Sequence, residues 1–483
     1  MPLILLLFLV LACLPLSWPE PLWGGEYAPV ITLACVLLSC LGMGVISYRT
    51  HLLLKKDRPE SAWRWYAYSR TLMFYLNLAL YYTALLVGGW GYLARDWLTL
   101  RGALPEDDFL LPAAELLVLA PYFCILVASW LIFYSSERAL RGREFRFTRS
   151  SYVLFAFRQN LLLVLIPLGM IILQANLFRL WPELLESVAA KGIGLLTAFI
   201  VMGILPLFLP QILGLKRLDD PELRQRLDLI AQRVGVRYRE IYLWETRGHL
   251  ATALVAGLFA RARVIIFTDG LLRMMPTEEL ESVFGHELGH ARHWHIHFYG
   301  LFLVLSFATI GAAYHFASQV FPSLQGLGSD LLTIAILFTT GLYLFVVFGF
   351  LSRKCERQAD LMGCRALHPH LLLTDHGIEV FTKALDRVGN INSSHSEEKT
   401  KIRGPVSFLV WLAKSLSTLL ATWQHGTLES RIAYLNRVRQ NPRLAERFQW
   451  YVFALRCGLF LLLCGTLGFF LVFGDWRAIV QGL

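Results

Sequence analysis

Runs of apolar residues long enough to cross a bilayer recur through this chain, and they limit its possible folds more than any other property. A hydrocarbon core of about 30 Å needs roughly twenty apolar residues in helical form. Runs of that length lie at about 3–19, 28–47, 71–94, 109–134, 159–178, 192–215, 298–320, 330–351 and 450–474. Lipid offers no partner for a free N–H or C=O, so each run is expected to be a helix. Composition agrees, with 56% hydrophobic and 17% charged residues against about 45 to 50% apolar in soluble domains. The expected fold class is mainly α, a polytopic helical membrane protein of about nine spans.

Lys and Arg in the short loops set the orientation. Arg49, Lys55, Lys56, Arg58, Arg64 and Arg70 crowd the loop after the second run, and Arg138, Arg141, Arg143, Arg146, Arg149 and Arg158 the loop after the fourth. Residues 18–26 and 105–108 are acidic or nearly neutral. The basic loops are expected in the cytoplasm, which also places residues 216–297 and 352–449 there, with Glu106 and Gly482 outside. The first run lacks a basic start and a small-residue cleavage site, so a retained anchor is expected rather than a signal peptide. Topology and anionic headgroups account for the net charge of +10, and no nucleic-acid motif accompanies it. Cys13, Cys35, Cys40, Cys124, Cys457 and Cys464 fall in apolar runs, which argues against a disulfide framework. Residues 390–401 form a polar stretch expected to be a loop.

Chemistry enters with His286-Glu287-Leu288-Gly289-His290, an HExxH motif. On a helix, residues four apart share a face, so His286 and His290 can direct ring nitrogens at one cation. Glu287 stands about 100° round the helix, badly placed as a third ligand but within reach of a water on that cation, which makes it the candidate general base. Residues 275–279 read as a helix start with acids in its first turn. A site of two His and a water needs a third protein ligand. Glu356 and Asp360, one turn apart directly after the eighth run, are candidates: Glu356 for the metal, Asp360 for the ring N–H of a ligand His. The same pair among Arg353, Lys354 and Arg357 also fits a solvated, salt-bridged helix end.

At these residues the sequence resembles the integral-membrane zinc endopeptidases of the CAAX prenyl protease and HtpX type. Their pattern joins HExxH, a membrane hairpin and SRxxExxAD, present here as Ser352, Arg353, Glu356, Ala359 and Asp360. The similarity runs from about 216 to 440 and takes in Thr268 to Leu272, Glu278 to Leu280, and His425 and Arg431, which resemble the family's late HPxxxxR element. Gly426 stands where the family has Pro, Thr252-Ala253 where it has Asn-Ala, and six runs precede the catalytic arm, marking a divergent branch. The resemblance implies one Zn²⁺ per chain held by His286, His290 and Glu356, with Asp360 behind them and Glu287 as base. It also implies an oxyanion donor at His425, with Arg431.

The β-prone runs Ala253 to Ala256 and Val264 to Phe267, parted by Gly257 to Arg263, are expected to form a small antiparallel element beside a zincin-like catalytic region. An edge strand there can hold an extended peptide, or merely pack the zinc helix. His293 and His297 continue the face of His286 and His290, as metal ligands or as a water-facing helix end; His315 lies inside a run, while His51, His249 and His376 lack a partner pattern. The expected organisation is a membrane region at 1–215, a zinc peptidase region at 216–449 with a hairpin at about 298–351, and a final span and tail at 450–483. The function this implies is zinc-dependent hydrolysis of peptide bonds in membrane-associated or misfolded membrane proteins. The protein would sit as a multi-pass chain in a membrane, the inner or plasma membrane if the source is bacterial, with its site on the cytoplasmic side. A CAAX-type protease of prenylated peptides, an idle scaffold and a zinc-gated transporter stand as alternatives. Partners are a peptide or membrane-protein substrate and the lipid bilayer, without nucleic acid, and nothing in the sequence specifies an oligomeric state.

Overall fold

A computed structural model describes residues 5, 9, 12, 25–97, 99–100, 109–110, 114–160, 164–180, 203–247, 250–320, 329–393 and 422–473. The chain divides into two compact units, residues 1–181 with 395–419 and residues 182–394 with 420–483.

In the first unit, helices α1 (Ala28–Lys55), α2 (Pro59–Tyr82) and α3 (Ala114–Arg141) pack through Met43, Ile46, Tyr66, Met73, Ile125 and Phe133. Leu33, Leu37, Leu41 and Val45, one turn apart on α1, are exposed together, as a lipid-facing stripe requires. Pro121 sits inside α3 and has no N–H for the Leu117 carbonyl four residues back. Trp90 Nε1 donates to that carbonyl at 3.0 Å, and the Tyr81 hydroxyl donates to the next, Val118, at 3.2 Å. Side chains thus replace what the proline removes, as an apolar surrounding demands. Buried Glu137 is enclosed by Arg70 at 2.5 Å, Arg141 at 3.0 Å and the Tyr66 hydroxyl at 3.0 Å.

The second unit holds a four-stranded sheet, β1 (Lys216–Arg217), β2 (Glu240–Trp244), β3 (Ala253–Ala256) and β4 (Val264–Thr268), in the order β1-β2-β4-β3. The expected antiparallel pair is β3 on β4, with Ala253 opposite Phe267 and Ala256 opposite Val264. The sheet is larger and mixed, however, because β2 runs parallel to β4, Glu240 opposite Val264. Central position explains why every residue of β4 is buried and why it reads as a continuous apolar run. Helix α4 (Pro221–Val234) is capped by Asp220, which accepts from the Leu223 N–H at 3.0 Å, and ends on Gly235 at φ 72°. Its Leu227, Ile230 and Val234 share a core with Ile265 and Phe267 of the sheet and with Phe284 and Leu288.

Beyond the sheet follow α5 (Thr277–Arg292), α6 (His295–Val320), α7 (Ser329–Ala366), α8 (Asp375–Ser393), α9 (Leu428–Gln440) and α10 (Arg443–Phe473). Helix α7 carries both the expected eighth span and the SRxxExxAD segment in one 38-residue rod, about 57 Å long and far longer than a bilayer core. Among the described residues, five helices are long and apolar enough to cross a membrane: Gly25–Lys55, Pro59–Val87, Glu115–Arg141, His295–Tyr314 and Arg443–Phe470. That count does not reach nine. The run at 3–19, and residues 192–202 of the sixth, fall almost wholly outside the described residues. The third span is displaced from 71–94 to 59–87: the helix stops at Gly88, and Gly89 takes φ 78°. Residues 105–108, His249, Gly482 and residues 394–401 of the polar stretch also lie outside the described residues, while 390–393, expected in a loop, form the end of α8.

Candidate metal centre

The site begins with a helix crossing made close by missing side chains. A Cβ on Gly289 would stand 2.9 Å from the Ala359 Cα, one on Gly363 2.9 Å from the Ser282 carbonyl oxygen, and one on Gly285 would collide with Ala366. Small residues at i, i+4 on α5 therefore lie against small residues on α7, so the two backbones touch. Ion pairs tie α5 to its other neighbours: Arg387 of α8 grips Glu279 at 2.7 and 3.1 Å, and Arg226 of α4 binds Glu281 at 2.5 Å.

The crossing turns His286 and His290 of α5 towards Glu356 of α7. The two Nε2 atoms are 3.2 Å apart and lie 3.7 and 3.6 Å from the Glu356 oxygens. One ligand atom from each residue falls within 4.8 Å of the others, and among the described residues this is the group that converges so. Two imidazoles and a carboxylate, with an open side, make a donor set suited to a divalent metal that keeps a water. Behind His286, its Nδ1 lies 3.0 Å from Asp360 Oδ1. Asp360 is fully buried and gripped by Arg431, with Nε at 2.9 Å from one oxygen and NH2 at 2.5 Å from the other. Phe381 stacks on the His286 ring, centroids 5.7 Å apart. Behind His290 stands His295, Nδ1 to Nδ1 at 2.9 Å.

These groups open on a cleft of about 480 Å³. Strand β3 borders it through Ala253 to Val255, opposite Glu287, Glu356 and His425, while Leu271, Val283, Leu385 and Val388 give it an apolar side. Because β3 ends the sheet, one of its edges is unpaired within the sheet order.

Burial, with Glu356 nearby, raises the Glu287 carboxyl against the opposing pull of His286 and the Val255 backbone. That direction suits a group that must accept a proton near neutral pH. Burial alone would raise Glu356 too, but its hydrogen bond with His425 and the His290 and His286 rings hold it well below the usual carboxylate range. For Asp360, burial is likewise outweighed by Arg431 and His286, and the carboxyl is lowered. Burial pushes His290 down to about 4, so at neutral pH its ring has a lone pair to offer.

His425 lies in the segment before α9, exposed, with Nδ1 2.9 Å from Glu356 Oε1. Trp423 anchors that segment to α7, stacking on Phe345 at 4.9 Å and donating Nε1 to the Phe345 carbonyl at 2.5 Å, while Arg353 donates to the Trp423 carbonyl at 2.9 Å. Gly426 takes φ 73°, which a proline ring cannot adopt. The departure from the late HPxxxxR element is therefore a different backbone turn as well as a different residue. His293 caps α5 and stacks on His295. Its N–H still bonds the Gly289 carbonyl at 3.0 Å, and the break follows at Trp294, φ 56°, so His297 lies beyond the helix of the ligand histidines. His297 packs on the Trp294 ring. The Cys355 thiol, beside Glu356, is buried against Arg456 at 3.2 Å. The glycine seam and the contact of His295 with His290 escaped the sequence reading.

Apolar helices of membrane-crossing length, joined to an HExxH helix laid across an ExxxD helix, define a membrane metalloprotease. Proteases similar in sequence agree. Residues 217–438 match the model of peptidase family M48. A protease HtpX homolog of Campylobacter curvus is 25% identical over 268 residues, covering 51% of this chain and 88% of that one. One of Thermoplasma acidophilum is 27% identical over 207 residues, covering 40% and 61%. The crystal structure of S. mikatae Ste24p superposes with a TM-score of 0.48 at 18% identity, over 84% of this chain and 98% of that one.

Proposed function

We propose that the protein is a zinc-dependent endopeptidase that cuts membrane-associated or misfolded membrane proteins from the cytoplasmic face. The observation that carries this reading is the convergence of His286, His290 and Glu356 on one point beside Glu287. When bound there, a zinc ion would acidify its water towards neutrality and polarise the scissile carbonyl. His286, His290 and Glu356 hold the ion, and Asp360 orients His286 from behind. Glu287 takes the proton from the attacking water and passes it to the leaving amine. His425 faces the cleft as hydrogen-bond donor for the oxyanion. Arg431 gives Nε and NH2 to Asp360 and turns NH1 towards Glu356 at 3.6 Å, which supports the ligand set from outside. The free edge of β3 would hold an extended substrate by its backbone, giving loose sequence preference.

Two measurements test the reading. Purified protein should contain about one zinc per chain, lose peptide hydrolysis on chelation and regain it with zinc. Peptides cleaved in cells with wild type but not with Glu287→Gln should come from membrane proteins; prenylated carboxyl-terminal peptides instead would redirect the substrate to the CAAX class. For the side of the membrane, single cysteines at positions 57, 107, 396 and 480 are labelled with an impermeant maleimide in intact cells. Labelling at 107 and 480 alone supports a cytoplasmic site, and labelling at 57 and 396 alone would place it outside.

A further inference from the structure

Behind His290, on the side away from the cleft, lies a row of side chains that the ligand chemistry does not use. His290 Nδ1 is 2.9 Å from Nδ1 of His295, which is fully buried at the start of α6. The other ring nitrogen of His295, Nε2, lies 3.3 Å from Gln358 Oε1. Gln358 is buried on α7, two residues beyond Glu356; its Oε1 accepts from Arg456 NH2 at 2.9 Å, and its Nε2 donates to Gln449 Oε1 at 2.5 Å. Arg456 and Gln449 both belong to α10, and Arg456 donates also to the His293 carbonyl at 3.0 Å.

The guanidinium in this row fixes the direction of the bonds at Gln358. A guanidinium has N–H donors and no acceptor, so the Gln358 atom that faces Arg456 is its oxygen. The same oxygen faces His295 Nε2, which must therefore carry a proton. Nε2 of His290 is the atom that meets the other two ligand groups, 3.2 Å from His286 Nε2 and 3.6 Å from Glu356, so on the metal reading its lone pair lies there and its proton on Nδ1, the nitrogen that faces His295. His295 Nδ1 is then the acceptor of that proton.

We propose that His295, set by Gln358 and Arg456, is a positioning residue that holds His290 in its metal-binding tautomer. The inference rests on the reading of this site as a metal centre. It makes the two ligand histidines unequal partners of similar design: His286 backs onto a carboxylate fixed by Arg431, and His290 onto an imidazole fixed through Gln358 by Arg456. It also gives the last membrane helix a part in the metal site. The left-handed Trp294 makes the arrangement possible, since it breaks α5 and swings His295 back beneath His290.

Zinc affinity of the detergent-purified full chain, measured by competition with a chromophoric chelator, tests this without reference to turnover. His295→Leu removes the acceptor and should weaken zinc by about 10- to 100-fold. In His295→Asn the side-chain oxygen falls where Nδ1 was and accepts from His290 unaided, so affinity should return to within about threefold of wild type. Arg456→Met should weaken zinc severalfold in the wild-type background and leave the His295→Asn background unchanged, because the row is then cut. Wild-type affinity in His295→Leu, or an equal cost of Arg456→Met in both backgrounds, overturns the proposal. Should His295→Leu fail to fold, the Asn and Met variants still decide it. Absence of zinc from wild type, or undiminished binding in His290→Ala, overturns the metal reading itself and the proposal with it.

Discussion

Glu137 in the first unit and Glu356 in the second are carboxylates of equal burial, each 3% exposed, yet they are treated in opposite ways. Glu137 is closed upon: two guanidinium groups and a phenol take its oxygens at 2.5 to 3.0 Å. Glu356 is faced but left open. His286, His290 and Arg431 stop at 3.6 to 3.7 Å, and the contact at 2.9 Å comes from the exposed His425. A buried charge saturated by its neighbours is a fastening. One whose neighbours aim at a shared point beside it is a place for something else to bind, and burial by itself does not tell the two apart.

The contrast can be broken or sharpened by substitution, beginning where the effect is greatest. Glu356→Ala should remove bound metal and with it all measurable hydrolysis; metal content equal to wild type would show that Glu356 belongs with Glu137 after all. Glu287→Gln should keep metal and fold but lower turnover by about 10² to 10⁴, the usual cost of a lost general base, and steady-state rates on a peptide substrate would show it. Asp360→Asn keeps the shape behind His286 but not the charge, and a 10- to 100-fold fall in activity is expected, with part of the metal retained in elemental analysis.

Glu137→Ala provides the opposite arm of the comparison. It should leave metal content and turnover within about twofold of wild type while destabilising the protein by about 3 kcal/mol, the low end for a broken buried pair because Arg70 is half-exposed. A calorimetric scan reads the second quantity; a large loss of activity at unchanged stability would contradict the contrast. The gentlest expected effect is on pH dependence. In the metal-free protein Glu356 and Asp360 are both lowered on folding. Their stabilisation is therefore complete above the unfolded carboxylate value of about 4 and is lost as pH falls through the folded ones. Thermal midpoints of metal-free protein that rise on acidification below about pH 4 would contradict the sign.

Spacing made the shared helix faces legible and the family resemblance supplied the ligand roles, whereas what was missed depends on backbone geometry and on pairings distant in sequence. His286 with His290, and Glu356 with Asp360, are each four apart inside unbroken helices, where periodicity is a sound guide to which side chains share a face. The β3–β4 pair was legible because its partners are neighbours in sequence. Strand β2 was not, since its parallel partner follows only after β3. His295 was hidden more thoroughly. Five residues after His290, it would point elsewhere on a continuous helix, and only the break at Trp294 returns it to its neighbour. Gly426 was read as a departure from a pattern, but its cause, a left-handed turn, is visible only in the backbone.

The contact of α5 with α7 bears on how such proteins are recognised at all. A search pattern that asks only for two histidines, a glutamate and a later glutamate accepts chains whose helices are too bulky to bring those groups together. Here the approach depends on Gly285, Gly289, Ala359, Gly363 and Ala366, residues chosen for what they lack. Writing those small positions into the signature, at the same helical spacing as the ligands, would discard chance matches on steric grounds, and a distant relative would be known as much by its voids as by its donors.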